Sequence, residues 1–163
     1  EFQANINYIH EKSKLGTIGS ATLTPHFFND YVLVMNSDLL TNIDLEDFFL
    51  YFLNNSADMA IATIPYKVKV PYAILNTDGN NVRSFEEKPT KTYYSNAGIY
   101  LMKKEVLSII PPNVHYDATD LMNEVIKKKM KLISFPILGY WLDIGKPEDF
   151  EKAQNDIRHI KFS

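Results

Sequence analysis

A near-continuous apolar run, Tyr31 to Met35, constrains the fold more than any other feature, because it ends abruptly in the polar stretch Asn36 to Asp38. A run of this length is typical of a strand that is buried on both faces at the centre of a sheet. Ala57 to Pro65 forms a second such run, and a helical pattern, Asp44 to Asn55, lies between the two. This alternation predicts an α/β fold with a mostly parallel sheet.

The remaining patterns complete this arrangement. Asp78 and Gly79 are a turn signal between alternating segments, and they predict a hairpin over residues 72–87. Residues 117–129 are predicted to form a helix, because acidic residues lie in the first turn and lysines in the last. Pro147 suits the first turn of another helix. We also expect strands at residues 5–11, 96–102 and 131–137, a short helix after the loop at residues 15–20, and a helix at residues 147–159.

Size and composition limit the classes of protein to consider. The 163 residues suit one domain, and 45% hydrophobic and 23% charged residues are ordinary for a globular chain. A net charge of −3 argues against a surface built to hold nucleic acid. The chain has no cysteine, which excludes disulfides and thiolate metal sites, and it has no apolar run of the ~20 residues that a membrane helix needs. We therefore expect a cytoplasmic protein that binds neither nucleic acid nor membrane.

Two acidic residues are predicted to lie at strand ends. Asp38 follows the first apolar run, and Asp143 comes two residues after Trp141, the one tryptophan of the chain. Ligands of open α/β sheets bind outside the carboxyl ends of the strands, and two carboxylates there can share a Mg²⁺ ion. Each acid taken alone is equally consistent with a helix cap or a loop residue.

A short glycine loop is a second candidate. Gly16, Thr17 and Gly19 could present backbone N–H groups and a hydroxyl group to a base or a ribose. A plain strand-to-helix turn would use the same residues.

A third candidate is the stretch from Glu86 to Met102. Within it, Glu87 can accept hydrogen bonds from sugar hydroxyl groups, Lys88 can offer a charge to a phosphate, and Asn96 can both donate and accept. A solvated hairpin end with an incidental Glu–Lys pair is the alternative.

The order of these pieces resembles one enzyme family over nearly the whole chain. From about Asn5 to about Ile157 come, in order, LGTIGSATL, VLVMNSDLLTNID, PYAIL, FEEKP, SNAGIYLM and GYWLDIGKPEDFEKAQND. Together they resemble the sugar-1-phosphate nucleotidyltransferases, in particular their guanylyltransferase-like branch. The resemblance implies a Rossmann-like fold with the sheet sandwiched by helices. It also implies a Mg²⁺-dependent reaction in which a sugar-1-phosphate attacks the α-phosphate of a nucleoside triphosphate, with GTP favoured, to give an NDP-sugar and pyrophosphate.

The same resemblance implies roles for individual residues. Asp38 and Asp143 match the two metal acids, and Lys88 matches the lysine that meets the sugar phosphate, so these three are the expected catalytic residues. Nucleotide binding is expected at Gly16, Thr17 and Gly19. Sugar binding is expected at Tyr72, Ala73, Glu87, Asn96 and Gly98.

Three residues depart from the family pattern. Ser37 and Ala73 stand where glycine is usual, and Ile18 replaces a smaller residue in the glycine loop. A Cβ atom at position 37 or 73 crowds a close approach of the backbone to a ligand. The departures are consistent with a changed sugar preference, or with a non-catalytic sugar-nucleotide sensor or regulatory subunit of the same fold. A glycosyltransferase is disfavoured, because such enzymes commonly have two acids in a D-x-D sequence, whereas Asn36-Ser37-Asp38 has one.

The family's first strand and its basic, glycine-rich phosphate-binding loop have no counterpart in the sequence, which opens at Glu1 directly on an alternating segment. We therefore expect residues 1–163 to be a single, partial nucleotidyltransferase domain with negligible transferase activity in isolation. A sheet edge that lacks its neighbouring strand is a pairing surface, which leaves a homo-oligomer open. The sequence also leaves the sugar open among mannose-like, heptose and glucosamine-type phosphates.

Overall fold

Helices separate groups of two or four strands in the computed structural model, which describes residues 5–24 and 26–161. The strands are β1 (Tyr31–Met35), β2 (Leu39–Thr41), β3 (Met59–Lys69), β4 (Ile74–Asp78), β5 (Asn81–Glu86), β6 (Thr90–Lys103), β7 (Leu132–Pro136) and β8 (Trp141–Asp143). The helices are α1 (Leu45–Asn54), α2 (Lys104–Leu107), α3 (Ala118–Lys127) and α4 (Pro147–Asp156), and a 3-10 helix at Gly19–Leu23 precedes them.

A four-stranded sheet with the order β1-β6-β3-β7 forms the centre of the described residues. Strands β1, β3 and β7 run in one direction, while β6 runs antiparallel to both of its neighbours. The α/β class is therefore confirmed, although only β3 and β7 are parallel neighbours. The reason is the connection from β3 to β6, which passes through the β4–β5 hairpin and returns without a crossover helix.

Strand β1 does not occupy the central position that its apolar run predicted. It lies at one edge of the sheet in the described residues, with β6 as its single neighbour. Tyr31, Leu33 and Met35 all lie on one face of it and are 38%, 43% and 41% exposed. Apolarity on both faces of a strand reports a preference for burial, whereas the position in the sheet depends on which other strands pair with it.

The strand expected at residues 5–11 is also absent from the structure, which gives this segment no ladder partner. Its alternating side chains Ile6 and Tyr8 are exposed. A β-strand needs a neighbour to satisfy its backbone groups, and no local pattern can supply one. The prediction was therefore wrong for the described chain.

Helices α1, α3 and α4 begin within one residue of where the sequence predicted, whereas α2 was not predicted. Asp44 caps α1 by accepting a hydrogen bond from the Asp47 N–H at 2.9 Å. Asp117 and Asp120 form a reciprocal capping box at the start of α3, and Pro147 occupies the first turn of α4. Among residues 5–24 and 26–161, every helix is too short or too polar to cross a membrane.

Two hydrophobic clusters cover the two faces of the sheet. One packs Met59, Ile61 and Met102 against α2 and α3, through residues such as Val106 and Leu121. The other packs small sheet residues, including Ala60 and Ala62, against Phe48 and Phe52 of α1. The sheet is therefore sandwiched by helices, as predicted.

An antiparallel ribbon extends beyond the sheet. Strands β3 and β6 stay paired from Ile64 and Ser95 to Lys69 and Thr90, where neither β1 nor β7 accompanies them. The β4–β5 hairpin follows, with Gly79 in the left-handed region at φ 57° as its turn requires. The predicted hairpin is thus confirmed, but strand β6 begins earlier than the residue 96 that the sequence indicated.

Asp58 ties three strands together at the opposite end of the sheet. Its carboxylate accepts hydrogen bonds from Lys103 Nζ at 2.7 Å and from the Lys131 N–H at 2.8 Å. Its own N–H donates to the Lys131 carbonyl at 2.9 Å, and its carbonyl accepts from the Lys103 N–H at 3.0 Å. One aspartate therefore joins the start of β3, the end of β6 and the residue before β7.

An Asp58→Asn substitution should lower the free energy of unfolding by about 1 kcal/mol at about pH 7, because the amide has no charge to pair with Lys103 and only one oxygen for the two donors. The hydrogen bond from Lys103, followed by that from Lys131, holds the pKa of Asp58 below its usual value. A carboxyl group with a depressed folded pKa stabilises the fold above its unfolded pKa of about 3.9, and loses that contribution as the pH falls through the folded pKa. Urea unfolding at about pH 7 and about pH 3 should therefore show the gap between wild type and variant closing in acid. A gap of the same size at both pH values would contradict the prediction.

Candidate active site

The two acids predicted to share a metal lie next to each other across a small antiparallel ladder. Strands β2 and β8 pair so that Leu39 stands opposite Asp143. One residue along, the Ile144 N–H donates to the Asp38 carbonyl at 2.7 Å. The backbones of Asp38 and Asp143 are therefore diagonal neighbours, as the rule of ligand binding at strand ends predicted.

Both carboxylates are available to a ligand. Asp38 and Asp143 are exposed, and neither takes part in an ion pair within residues 5–24 and 26–161. Residues 5–24 and 26–161 contain no group of three or more His, Cys, Asp or Glu side chains that could enclose a metal. Two carboxylates open to solvent suit a hard cation that keeps several waters and substrate oxygens in its coordination shell.

A bulge in β6, which we call the β6 bulge (Asn96–Gly98), lies beside this pair. Ile61 pairs with Tyr100 but Thr63 pairs with Asn96, so a step of two residues on β3 faces a step of four on β6. Gly98 adopts φ 72°, a left-handed conformation that residues other than glycine rarely adopt. Bulges of this kind are frequent next to active sites, where they redirect side chains.

The Asn96 side chain makes hydrogen bonds through both its oxygen and its nitrogen at the β6 bulge. Its Oδ1 accepts from the Gly98 N–H at 2.9 Å, and its Nδ2 donates to the Tyr100 hydroxyl at 2.8 Å. Burial raises the pKa of Tyr100, the hydrogen bond from Asn96 opposes this, and the charge of Asp117 adds to the increase. The Tyr100 hydroxyl therefore stays protonated at neutral pH.

The glycine loop is held against the start of α3. The Ile18 and Gly19 N–H groups donate to the Tyr116 carbonyl at 3.2 and 3.1 Å, and the Thr17 N–H donates to Asp117 Oδ1 at 3.0 Å. The Thr17 hydroxyl accepts from the Ala118 N–H at 2.8 Å. The N–H groups and the hydroxyl group that the sequence assigned to a nucleotide base thus make hydrogen bonds within the chain. The loop therefore serves at least as a structural connection to α3.

Replacing Gly16 by alanine should destabilise the protein by about 2 kcal/mol or more. Gly16 has φ 77°, and a Cβ atom there would lie 2.7 Å from both the Tyr116 carbonyl oxygen and Asp117 Oδ1. Gly79→Ala is the matched control, since Gly79 also has a positive φ, of 57°, but a Cβ atom there meets nothing within 4 Å. Urea unfolding should give a clearly larger loss for Gly16→Ala, and equal losses would contradict the predicted steric conflict.

The remaining predicted residues lie at the far end of the ribbon. Glu87 and Lys88 are mainly exposed and form a loose ion pair at 3.9 Å. Lys88 has φ 45°, a strained value for a residue with a side chain. Tyr72 and Ala73 lie in the exposed connection between β3 and β4. Measured along the strand, Thr90 is about 20 Å from Asn96, so these four residues lie at the opposite end of the ribbon from the β6 bulge.

Two residues that the sequence did not single out contact the β6 bulge. The Trp141 Nε1–H donates to the Ala97 carbonyl at 2.9 Å. The Asn36 N–H donates to the Gly98 carbonyl at 2.9 Å, and its side chain covers Gly98 so closely that a Cβ atom there would lie 2.7 Å from Asn36 Nδ2. Their place two residues before each acid was the available signal.

Two concave surfaces lie elsewhere. A groove of about 680 Å³ separates α1 from residues 135–139, and another of about 630 Å³ lies between α2 and α3. Neither groove includes Asp38 or Asp143. Asp38 and Asp143 therefore lie on an exposed surface outside both grooves.

Comparison with known proteins decides the family. A family model described as Nucleotidyl transferase matches residues 1–160. The chain belongs to this family. Among its relatives, mannose-1-phosphate guanyltransferase of Pichia angusta is 27% identical over 92% of the chain. D-glycero-alpha-D-manno-heptose 1-phosphate guanylyltransferase of Aneurinibacillus thermoaerophilus is 29% identical over 95% of it.

A solved structure agrees with the family assignment. HddC from Yersinia pseudotuberculosis, complexed with GMP-PN, is similar with a TM-score of 0.64 and 25% identity, covering 91% of this chain. The fold is therefore that of the nucleotidyltransferases, and the resemblance based on ordered motifs is confirmed. The chain spans 43% of the length of the Pichia angusta relative, 68% of the Aneurinibacillus relative and 65% of the HddC chain.

Proposed function

We propose that the protein transfers a nucleotidyl group from a nucleoside triphosphate to a sugar-1-phosphate, with GTP and a mannose-like or heptose phosphate as the substrates. The observation that carries the proposal is the adjacency of Asp38 and Asp143 across the β2–β8 ladder, beside the β6 bulge, in a chain of this family. The guanine preference is supported by the names of two relatives, which are a guanyltransferase and a guanylyltransferase.

The reaction requires two anions to meet in line. A phosphate oxygen of the sugar-1-phosphate forms a bond to the α-phosphorus, the bond from that phosphorus to the bridging oxygen breaks, and pyrophosphate leaves with the electron pair. No protein nucleophile is needed, so the residues contribute by positioning and by neutralising charge. Asp38 and Asp143 would hold a Mg²⁺ ion, which when bound neutralises developing negative charge on the phosphate oxygens.

The other predicted residues are assigned supporting roles in this proposal. Lys88 would meet the sugar phosphate, and its strained backbone is the kind of outlier that accompanies functional positions. Glu87, Tyr72 and Ala73 would contact the sugar from the same end of the ribbon. Gly16 and Thr17 would border the base.

The test uses the full-length protein, Mg²⁺, each nucleoside triphosphate in turn and a panel of sugar-1-phosphates, with pyrophosphate release as the measurement. Release that requires both GTP and one sugar phosphate is the expected result. Lys88→Met should reduce it, whereas Lys91→Met, an exposed lysine of the same ribbon, should not. Tight binding of a sugar nucleotide without release by any pair of substrates would instead identify a sensor or regulatory subunit.

A further inference from the structure

The β6 bulge is held by two residues that stand in equivalent places relative to the two acids. Asn36 precedes Asp38 by two residues, and Trp141 precedes Asp143 by two residues. Each of the two donates a hydrogen bond of 2.9 Å to a carbonyl of the bulge. Two residues of extended chain span only about 7 Å, so the bulge lies close to both acids.

We propose that Asn36 and Trp141 are positioning residues that fix the β6 bulge relative to Asp38 and Asp143, so that the sugar-binding strand and the metal acids form one rigid unit. This inference rests on the proposed function. Neither residue needs to touch a substrate, because each acts through the backbone of the bulge.

The hydrogen bonds inside the bulge support this role. Gly98 donates to the Asn96 side chain and accepts from Asn36, so both of its backbone groups have partners. The Asn96 amide also reaches the Tyr100 hydroxyl, which anchors the bulge to the buried part of β6. Pairing of these groups favours one geometry of the bulge, which a transfer reaction between two anions requires.

The decisive variant is Trp141→Phe, which keeps an aromatic ring against the neighbouring cluster but removes the N–H that reaches Ala97. Loss of one such hydrogen bond should lower kcat/KM for the sugar phosphate about three- to tenfold. The KM for the nucleotide should stay the same, because the bulge contains the sugar-side residues. Tyr140→Phe is the matched control, since it removes a hydrogen bond from the adjacent residue, to Asp156, that does not touch the bulge.

A second measurement does not depend on activity. Hydrogen exchange in the full-length protein reports the Gly98 and Asn36 N–H groups, which both donate within or to the bulge. Trp141→Phe should accelerate their exchange about three- to tenfold, while buried amides such as that of Met59 stay unchanged and Tyr140→Phe has no effect on the bulge.

The outcomes separate the two hypotheses. Faster exchange together with a selective loss in kcat/KM for the sugar phosphate supports the positioning role. Unchanged exchange, or faster exchange with unchanged kinetics in an active enzyme, overturns it. A wild-type protein without transferase activity would overturn the proposed function, while faster exchange in Trp141→Phe would still support the pinning of the bulge.

Discussion

An Asp38→Asn variant of the full-length protein should release pyrophosphate about a hundred- to a thousandfold more slowly than the wild type. The amide keeps the size of the carboxylate but removes its charge, and the charge is what a divalent cation requires at this position. The backbone hydrogen bond between Asp38 and Ile144 does not involve the side chain, so the β2–β8 ladder should persist. Because binding of the cation weakens, the Mg²⁺ concentration for half-maximal rate should also rise.

Asp30→Asn provides the matched control for this prediction. Asp30 immediately precedes β1, at the end of the strand opposite to Asp38, and its side chain is 80% exposed where it pairs with Lys104 at 2.9 Å. Its loss should leave the rate within about twofold, because an exposed ion pair contributes little. Equal rates for Asp38→Asn and wild type would contradict the assignment of Asp38 as a metal ligand. Equal losses in both variants would indicate a general effect on β1 instead.

A Phe48→Ala substitution should lower the free energy of unfolding by about 3–5 kcal/mol. Phe48 is 0% exposed and packs between α1 and the sheet, with its ring 5.0 Å from that of Phe135. Truncation removes apolar contacts and leaves a cavity that α1 closes only in part. Since natural domains are stable by about 5–15 kcal/mol, the loss would bring the protein close to unfolding at ambient temperature. Urea or guanidinium unfolding measures the change.

Phe28→Ala tests whether burial is the cause. Phe28 is 87% exposed, so the same chemical change should alter the free energy of unfolding by no more than about 0.5 kcal/mol. A loss of less than about 1 kcal/mol for Phe48→Ala would contradict the packing of α1 on the sheet.

Local features of the sequence predicted much of the fold. The cap at Asp44, the acids at the start of α3, Pro147 and the Asp78-Gly79 turn each specify a backbone conformation through neighbours a few residues away. The ordered motifs also indicated the family, which the match over residues 1–160 confirms. The sequence placed Asp38 and Asp143 after apolar strand patterns, but the antiparallel pairing of β2 with β8, in a separate two-stranded sheet, is what makes them neighbours.

Other features depend on partners that are distant along the chain. The pattern of Tyr31–Met35 specifies a strand but not its place, and pairing with β6 alone puts it at the edge of the described sheet. The alternation at residues 5–11 states a preference that no neighbouring strand in the structure satisfies. For the same reason the assignment of the glycine loop to a base could not anticipate Asp117, which lies 100 residues away and accepts the Thr17 N–H.

The sequence by itself determined where α1, α3, α4 and the Asp78-Gly79 turn form, and which residues carry charge at strand ends, because those properties arise from local backbone preference and side-chain chemistry. Only the tertiary structure decided the register of β6 against β3, and with it the bulge that brings Asn36, Trp141 and Asn96 together. Register is fixed by hydrogen bonds between strands that lie far apart in the sequence, and a shift of one residue would send each side chain to the opposite face.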